Sequence, residues 1–223
     1  GIGDLVEVIN EVTQSEVDAT FEEYKESYII KEENLNNEEF LNSIKYQAKV
    51  EIALKRFLDK GGYTAFTTNF QALHGMDQLP GLAVQRLMEQ GYGFGGEGDW
   101  KTAGLVRLMK IMAENKRTSF MEDYTYDFKL GMILGSHMLE VCPTLSKEKP
   151  VIDVKPLSIG GKKDPARLIF NGNGGTAVAA CLVDMGGRMR LIVNEIDAVE
   201  VERDLPKLPV ARLLWTPRPS LKE

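Results

Sequence analysis

Three residues in the middle of the chain carry side chains that move protons or hold cations: Glu97, Glu122 and His137. Two carboxylates and an imidazole form a mixed oxygen and nitrogen donor set that suits Mn²⁺. Paired carboxylates are also equipped for general acid–base transfer. Glu97 stands in Gly93-Phe94-Gly95-Gly96-Glu97-Gly98, which fits G-x-G-x-x-G ahead of a helix. That pattern raises the alternative of a dinucleotide-binding α/β module of an oxidoreductase. Two features weigh against it. A carboxylate inside the loop would repel the pyrophosphate that a helix N-terminus attracts, and no convincing strand leads into the loop. Glycines around Glu97 read better as clearance for something bound to it, or as a turn in which Glu97 supports the next helix dipole.

Glu122 lies in Phe120-Met121-Glu122-Asp123-Tyr124-Thr125-Tyr126. In a strand, Phe120, Glu122, Tyr124 and Tyr126 share one face. A carboxylate among three aromatics is either solvated beside surface rings or buried with a partner that keeps it charged. Taken alone, the segment favours solvation. His137 falls by period two on the face of Ile133, Gly135, Leu139 and Val141, an apolar setting in which a core histidine is the commoner outcome. His74 sits in a loop and reads as structural or exposed. Spacing alone does not bring the three residues together.

The elements that must position them fall into two textures. Leu5, Val8, Ile9 and Val12 mark one face of a first helix. Ser15 and Asp18 suit the cap of a second, running to about Tyr28. A long helix from Phe40 stops at Gly61-Gly62. Tyr63 to Phe70 is β-branched and aromatic, a short buried strand. Pro80-Gly81 opens a helix through Met88, and Asp99 caps another to about Glu114. Past residue 116, alternation predicts strands over Phe120–Phe128, Met132–Cys142, Val151–Ile159, Ala166–Phe170, Ala177–Asp184, Met189–Val201 and Val210–Trp215. Hairpin-type turns are expected at Gly172-Asn173-Gly174-Gly175 and Gly186-Gly187. The fold class is therefore α/β. A helix-rich open α/β central domain with a Rossmann-like parallel sheet spans 1–116, and a largely antiparallel, β-barrel-like domain spans 117–223.

Composition narrows the function classes. The chain has 223 residues, 27 basic and 33 acidic, for a net charge of −6. Residues 1–40 alone carry twelve acidic against two basic side chains, so nucleic acid is not an expected partner. No apolar run reaches the roughly 20 residues of a membrane helix. The two cysteines, Cys142 and Cys181, are unclustered, which fits a reducing cytoplasm.

The same segments carry a resemblance. Gly91-Tyr92-Gly93-Phe94-Gly95-Gly96-Glu97-Gly98-Asp99-Trp100-Lys101-Thr102 resembles a signature stretch of the L-arabinose isomerases. So do Thr118 to Tyr126, Gly135-Ser136-His137-Met138-Leu139-Glu140-Val141-Cys142-Pro143, Leu79 to Met88, and Asp164 to Phe170. The resemblance runs in order over essentially the whole chain. It implies a cytoplasmic, metal-dependent aldose–ketose isomerase of arabinose catabolism, converting L-arabinose to L-ribulose, and D-galactose to D-tagatose, through a cis-enediol. It implies Glu97 and Glu122 as the acid–base pair and as metal ligands, His137 as a third ligand, and Mn²⁺ as cofactor, with Co²⁺ or Mg²⁺ as substitutes. Phe70 and Ile159 match residues that border the sugar, and the family assembles as hexamers. The family's fourth ligand, a histidine further toward the C-terminus, has no counterpart before Glu223. The 223 residues alone are therefore expected to be inactive.

Overall fold

The computed structural model describes residues 1–157, 159–201 and 210–220. Five helices come first in importance: α1 (Ile2–Glu11), α2 (Gln14–Ser27), α3 (Glu38–Gly61), α4 (Gly81–Glu89) and α5 (Trp100–Met112). The cap of α2 lies two residues before the expected Ser15. The Thr13 hydroxyl accepts from the Glu16 amide while the Glu16 carboxylate accepts from the Thr13 amide, a reciprocal box that Ser15 cannot form from inside the helix. Asn37 caps α3 by accepting from Phe40 N at 3.1 Å, and Gly62, at φ 69°, ends it.

Helix α3 is the central member, packed against α1, α2 and α4. It buries Ile44, Ala48, Val50 and Ala53 completely, where each large aliphatic side chain stabilises by about 1.5–3 kcal/mol. Gln47, equally buried, satisfies both ends of its amide. It donates to Gln78 Oε1 and to Leu79 O at 2.8 Å each, and accepts from Ala83 N at 3.2 Å. That network fixes the chain entering α4, so the helix start needs no capping side chain from Pro80.

The parallel sheet is smaller than the sequence predicts. Strands β1 (Ala65–Thr67) and β2 (Gly93–Gly95) pair in parallel, with α5 packed over both. β1 is half-buried and shorter than the expected Tyr63–Phe70. Among the described residues no further strand joins this pair.

The second half is antiparallel but not closed. Strands β3 (Tyr124–Asp127), β4 (Met132–Gly135), β7 (Gly175–Asp184), β8 (Met189–Val199) and β9 (Leu213–Arg218) form one sheet in the order β3-β4-β9-β8-β7. Strands β5 (Val151–Val154) and β6 (Ala166–Ile169) pair separately and pack on α3 and α4. Removing that ribbon leaves five strands with β3 and β7 as free edges, so the expected barrel is an open sheet. The Gly186-Gly187 turn joins β7 to β8 as expected, with Met185 N donating to Arg188 O. Gly172 to Gly175 is no hairpin, because it links β6 to β7 in different sheets. Pro206 and Pro209 lie outside the described residues.

One hydrophobic core crosses position 116. Ala83 and Leu87 of α4 share a cluster with Leu139, Val141, Ile152 and Leu168. Gln85 of α4 secures the seam: its Oε1 accepts from Leu168 N at 2.7 Å, and its Nε2 donates to Val141 O at 3.0 Å and Leu168 O at 3.2 Å.

Candidate active site

Glu97 is placed by a tight turn between β2 and α5. Asp99 N donates to Gly96 O at 2.9 Å, and the two central residues, Glu97 and Gly98, have φ of 54° and 85°. A left-handed backbone at a non-glycine residue costs about 1–3 kcal/mol and is characteristic of functional sites. Gly98 N donates to Thr68 O at 3.0 Å, which ties the turn to the chain leaving β1, two residues before Phe70. The Glu97 side chain is exposed.

A strand does lead into this loop, against the sequence expectation. β2 runs directly into the turn, and α5 follows. The glycines nevertheless serve packing. A Cβ at Gly95 would collide with the backbone of Asp99 and lie 2.8 Å from Ala103 N, and one at Gly93 would strike the backbone of Ala103 and Arg107. The first amides of α5 are already taken, since Asp99 Oδ1 accepts from Lys101 N and Thr102 N at 3.0 Å each. A pyrophosphate would have to displace that carboxylate, so the dinucleotide reading is not favoured. Only Gly96 borders the candidate site: its Cβ would lie 3.2 Å from Glu122 Oε2 and 3.2 Å from Phe120 Cζ.

Glu122 precedes β3 instead of sitting within it. Asp123 has φ 62°, which breaks the alternation that would put Phe120, Glu122 and Tyr124 on one face. Phe120 turns inward, stacked edge-on against Phe94 at 5.4 Å and against the His137 ring at 5.1 Å. Glu122 stays at the boundary, half-buried. Burial, and then the charges of Glu97, Asp123 and Asp99, push its carboxyl above the usual range. Every charge named there is negative, so a cation is the complementary partner.

His137 does not lie on a strand. β4 stops at Gly135, where a side chain would run into Trp215 and Met121. Beyond it the chain curls around the imidazole: Nδ1 accepts from Glu140 N at 3.3 Å and Leu139 N at 3.5 Å. Glu140 Oε2 lies 3.4 Å from Nδ1, and Asp123 Oδ2 lies 4.0 Å from Nε2. Burial lowers the imidazole pKa, opposed by Asp123. Glu140, deeply buried and facing Glu122, Glu97 and Asp123, is pushed up to about 8.

Glu97, Glu122 and Glu140 feel one another's charge and His137 lies beside Asp123 and Glu140, so the three expected residues share a neighbourhood without closing on one point; sequence reasoning missed Asp123 and Glu140. Glu140 carries a readable signal, three residues after His137 in an otherwise apolar run. Asp123 carries none, because alternation assigns it to the opposite face. Phe70 lies beside Gly160, whose Cβ would be 3.9 Å from Phe70 Cβ, so Phe70 and the chain next to Ile159 come together. Ile159 itself is 43% exposed.

The donor chemistry fits a divalent cation, with carboxylate oxygens and a neutral imidazole in a field of acidic groups. The spacing is wider than a coordination sphere. Among the described residues, no three His, Cys, Asp or Glu side chains are grouped closely enough to hold an ion.

Comparison with known proteins joins these features to a family. A family model of the L-arabinose isomerase central domain matches residues 1–115, and one of the C-terminal domain matches residues 117–223. The L-arabinose isomerase of Bacillus subtilis (strain 168) is 65% identical over 224 residues, covering 100% of this chain and 45% of that protein. The enzymes of Geobacillus kaustophilus and Geobacillus stearothermophilus are 61% and 62% identical over 225 residues, at the same coverage. The chain spans about 45% of the length of these curated relatives. With both family models matched in order along its length, the chain belongs to the L-arabinose isomerase family.

Proposed function

We propose that the chain carries the proton-transfer centre of an aldose–ketose isomerase that interconverts L-arabinose and L-ribulose, and D-galactose and D-tagatose, through a cis-enediol. The observation that supports this reading is the effect of the Glu97 charge on Glu122, whose carboxylate lies against Gly96, the residue before Glu97. One carboxylate of the pair takes the proton from C2 of the open-chain sugar and delivers it to O1, giving the enediol; the other takes the O2 proton and delivers it to C1, so both end as they began. Positioned bases of this kind contribute about 10²–10⁴-fold. Glu97, Glu122 and His137 would hold Mn²⁺, or Co²⁺ or Mg²⁺ in its place. When bound, the cation would supply Lewis acidity that stabilises negative charge on the sugar oxygens. Phe70 and Ile159 would border the sugar.

The working protein is a cytoplasmic homo-oligomer in this reading. Two free cysteines, one buried and one exposed, accord with a reducing compartment. Among the described residues no helix is long and apolar enough to cross a membrane.

A chimera tests the proposal: this chain replacing the matching segment of the Bacillus subtilis relative. The chimera is expected to form L-ribulose from L-arabinose, and Glu97→Gln or Glu122→Gln to lower kcat by about 10²–10⁴-fold. A folded chimera without turnover, or full activity in both variants, would contradict it.

A further inference from the structure

We propose that Lys162 is a positioning residue for the sugar pocket, holding the loop that carries Ile159 against the loop that carries Phe70; this rests on the reading that those two side chains border the sugar. Phe70 lies on the connection from β1 to α4, and Ile159 on the connection from β5 to β6. Among the described residues, neither loop holds more than one short 3₁₀ turn, Phe70–Ala72. Bonds between the loops must therefore set how the two side chains stand to each other. Lys162 makes the central pair. An ammonium has three donors and no acceptor. Its Nζ donates to Leu73 O at 2.7 Å and to Met76 O at 2.6 Å, both in the stretch that follows Phe70.

The neighbours of Lys162 support the same closure. Gly160 and Gly161 have φ of 77° and 61°, the left-handed backbone that folds this loop back. A Cβ at Gly160 would lie 3.8 Å from Phe70 O, so the bend rests on Phe70 itself. Lys163 N donates to Asp77 O at 2.9 Å, and Lys163 Nζ pairs with Asp77 Oδ2 at 2.7 Å. That ion pair is exposed and adds little, whereas the half-buried Lys162 makes two charge-assisted bonds, the stronger kind. Both loops are already fixed elsewhere. Thr68 O accepts from Gly98 N at 3.0 Å, beside Glu97, and Lys155 O accepts from the buried Arg167 Nη2 at 2.9 Å. Lys162 thus joins the free middles of two anchored loops. Losing it would loosen the sugar's border without touching Glu97 or Glu122. Such a change weakens ground state and transition state alike, which raises KM and spares kcat.

The test uses the chimera with the Bacillus subtilis relative. Lys162→Met is expected to raise KM for L-arabinose about tenfold, the scale of one lost apolar contact in a pocket, with kcat unchanged. Amide hydrogen exchange over residues 70–78 should quicken in the same variant. Lys162→Arg, which keeps donors for both carbonyls, should restore most of both. A bond that serves stability alone would lower Tm and leave KM at the parent value, and that result would overturn the inference. So would a loss confined to kcat, or equal KM losses in both variants with exchange unchanged. Phe70→Ala tests the underlying reading separately. A raised KM there upholds the sugar border, whereas an unchanged KM removes it and the inference with it.

Discussion

A methyl group at Gly96 would meet two side-chain atoms, Glu122 Oε2 and Phe120 Cζ, whereas one at Gly95 would meet the backbone of α5. The two positions therefore separate site from scaffold. Gly95→Ala should destabilise the fold by about 1–3 kcal/mol, since backbone cannot turn aside. Gly96→Ala should melt near the wild type but bind Mn²⁺ more weakly, because Glu122 must move. Paired denaturant curves and Mn²⁺ titrations read both effects, and the reverse ranking would contradict this assignment. At this scale the sequence singles out residues that the fold brings into one neighbourhood, and misplaces their surroundings. The glycines around Glu97 look like clearance for a ligand, yet Gly93 and Gly95 make room for α5. Glu122 looks like a strand residue, yet the left-handed Asp123 takes it off the strand. Backbone reversals at single non-glycine residues leave no periodic trace.

Helices are legible because their period, caps and stops are local. Asp99, Gly62 and the Pro80-Gly81 opening all act where the sequence places them. Strands are less so: Met132–Cys142 alternates well, but only its first four residues pair, and the rest folds around His137. Between helices, a buried polar network holds α2, α3 and α4 together. Tyr24 Oη donates to Glu51 Oε2 at 2.6 Å, Gln90 Nε2 donates to Oε1 at 2.7 Å, and Arg86 Nε lies 3.4 Å from Oε2. Burial dominates and raises the Glu51 pKa above its ordinary 4.5, despite Arg86 and these hydrogen bonds. A raised folded-state pKa adds stability below the unfolded value and loses it as pH rises through the folded one. Wild type should therefore lose ground to Glu51→Gln as pH climbs above 4.5. Urea midpoints at about pH 4 and pH 8 check this; a gap that moves toward the wild type at high pH would refute it.

For the whole molecule, sheet closure was the least legible feature. Alternation counts strands but does not say which edges meet, and β5–β6 leaves the larger sheet to cover α3 and α4. One core also runs across residue 116, where the two family models meet. Because that core joins the helices to the loop bearing His137, a cation held by Glu97, Glu122 and His137 should stabilise the entire fold. Binding at 100 times Kd adds about 2.7 kcal/mol, which for a chain of this size raises Tm by about 5–11 °C. Thermal unfolding across a Mn²⁺ titration is the direct test. That rise is expected in the wild type, and its loss in Glu97→Gln, Glu122→Gln and His137→Ala. An equal rise in all four proteins, or none in the wild type, would contradict it.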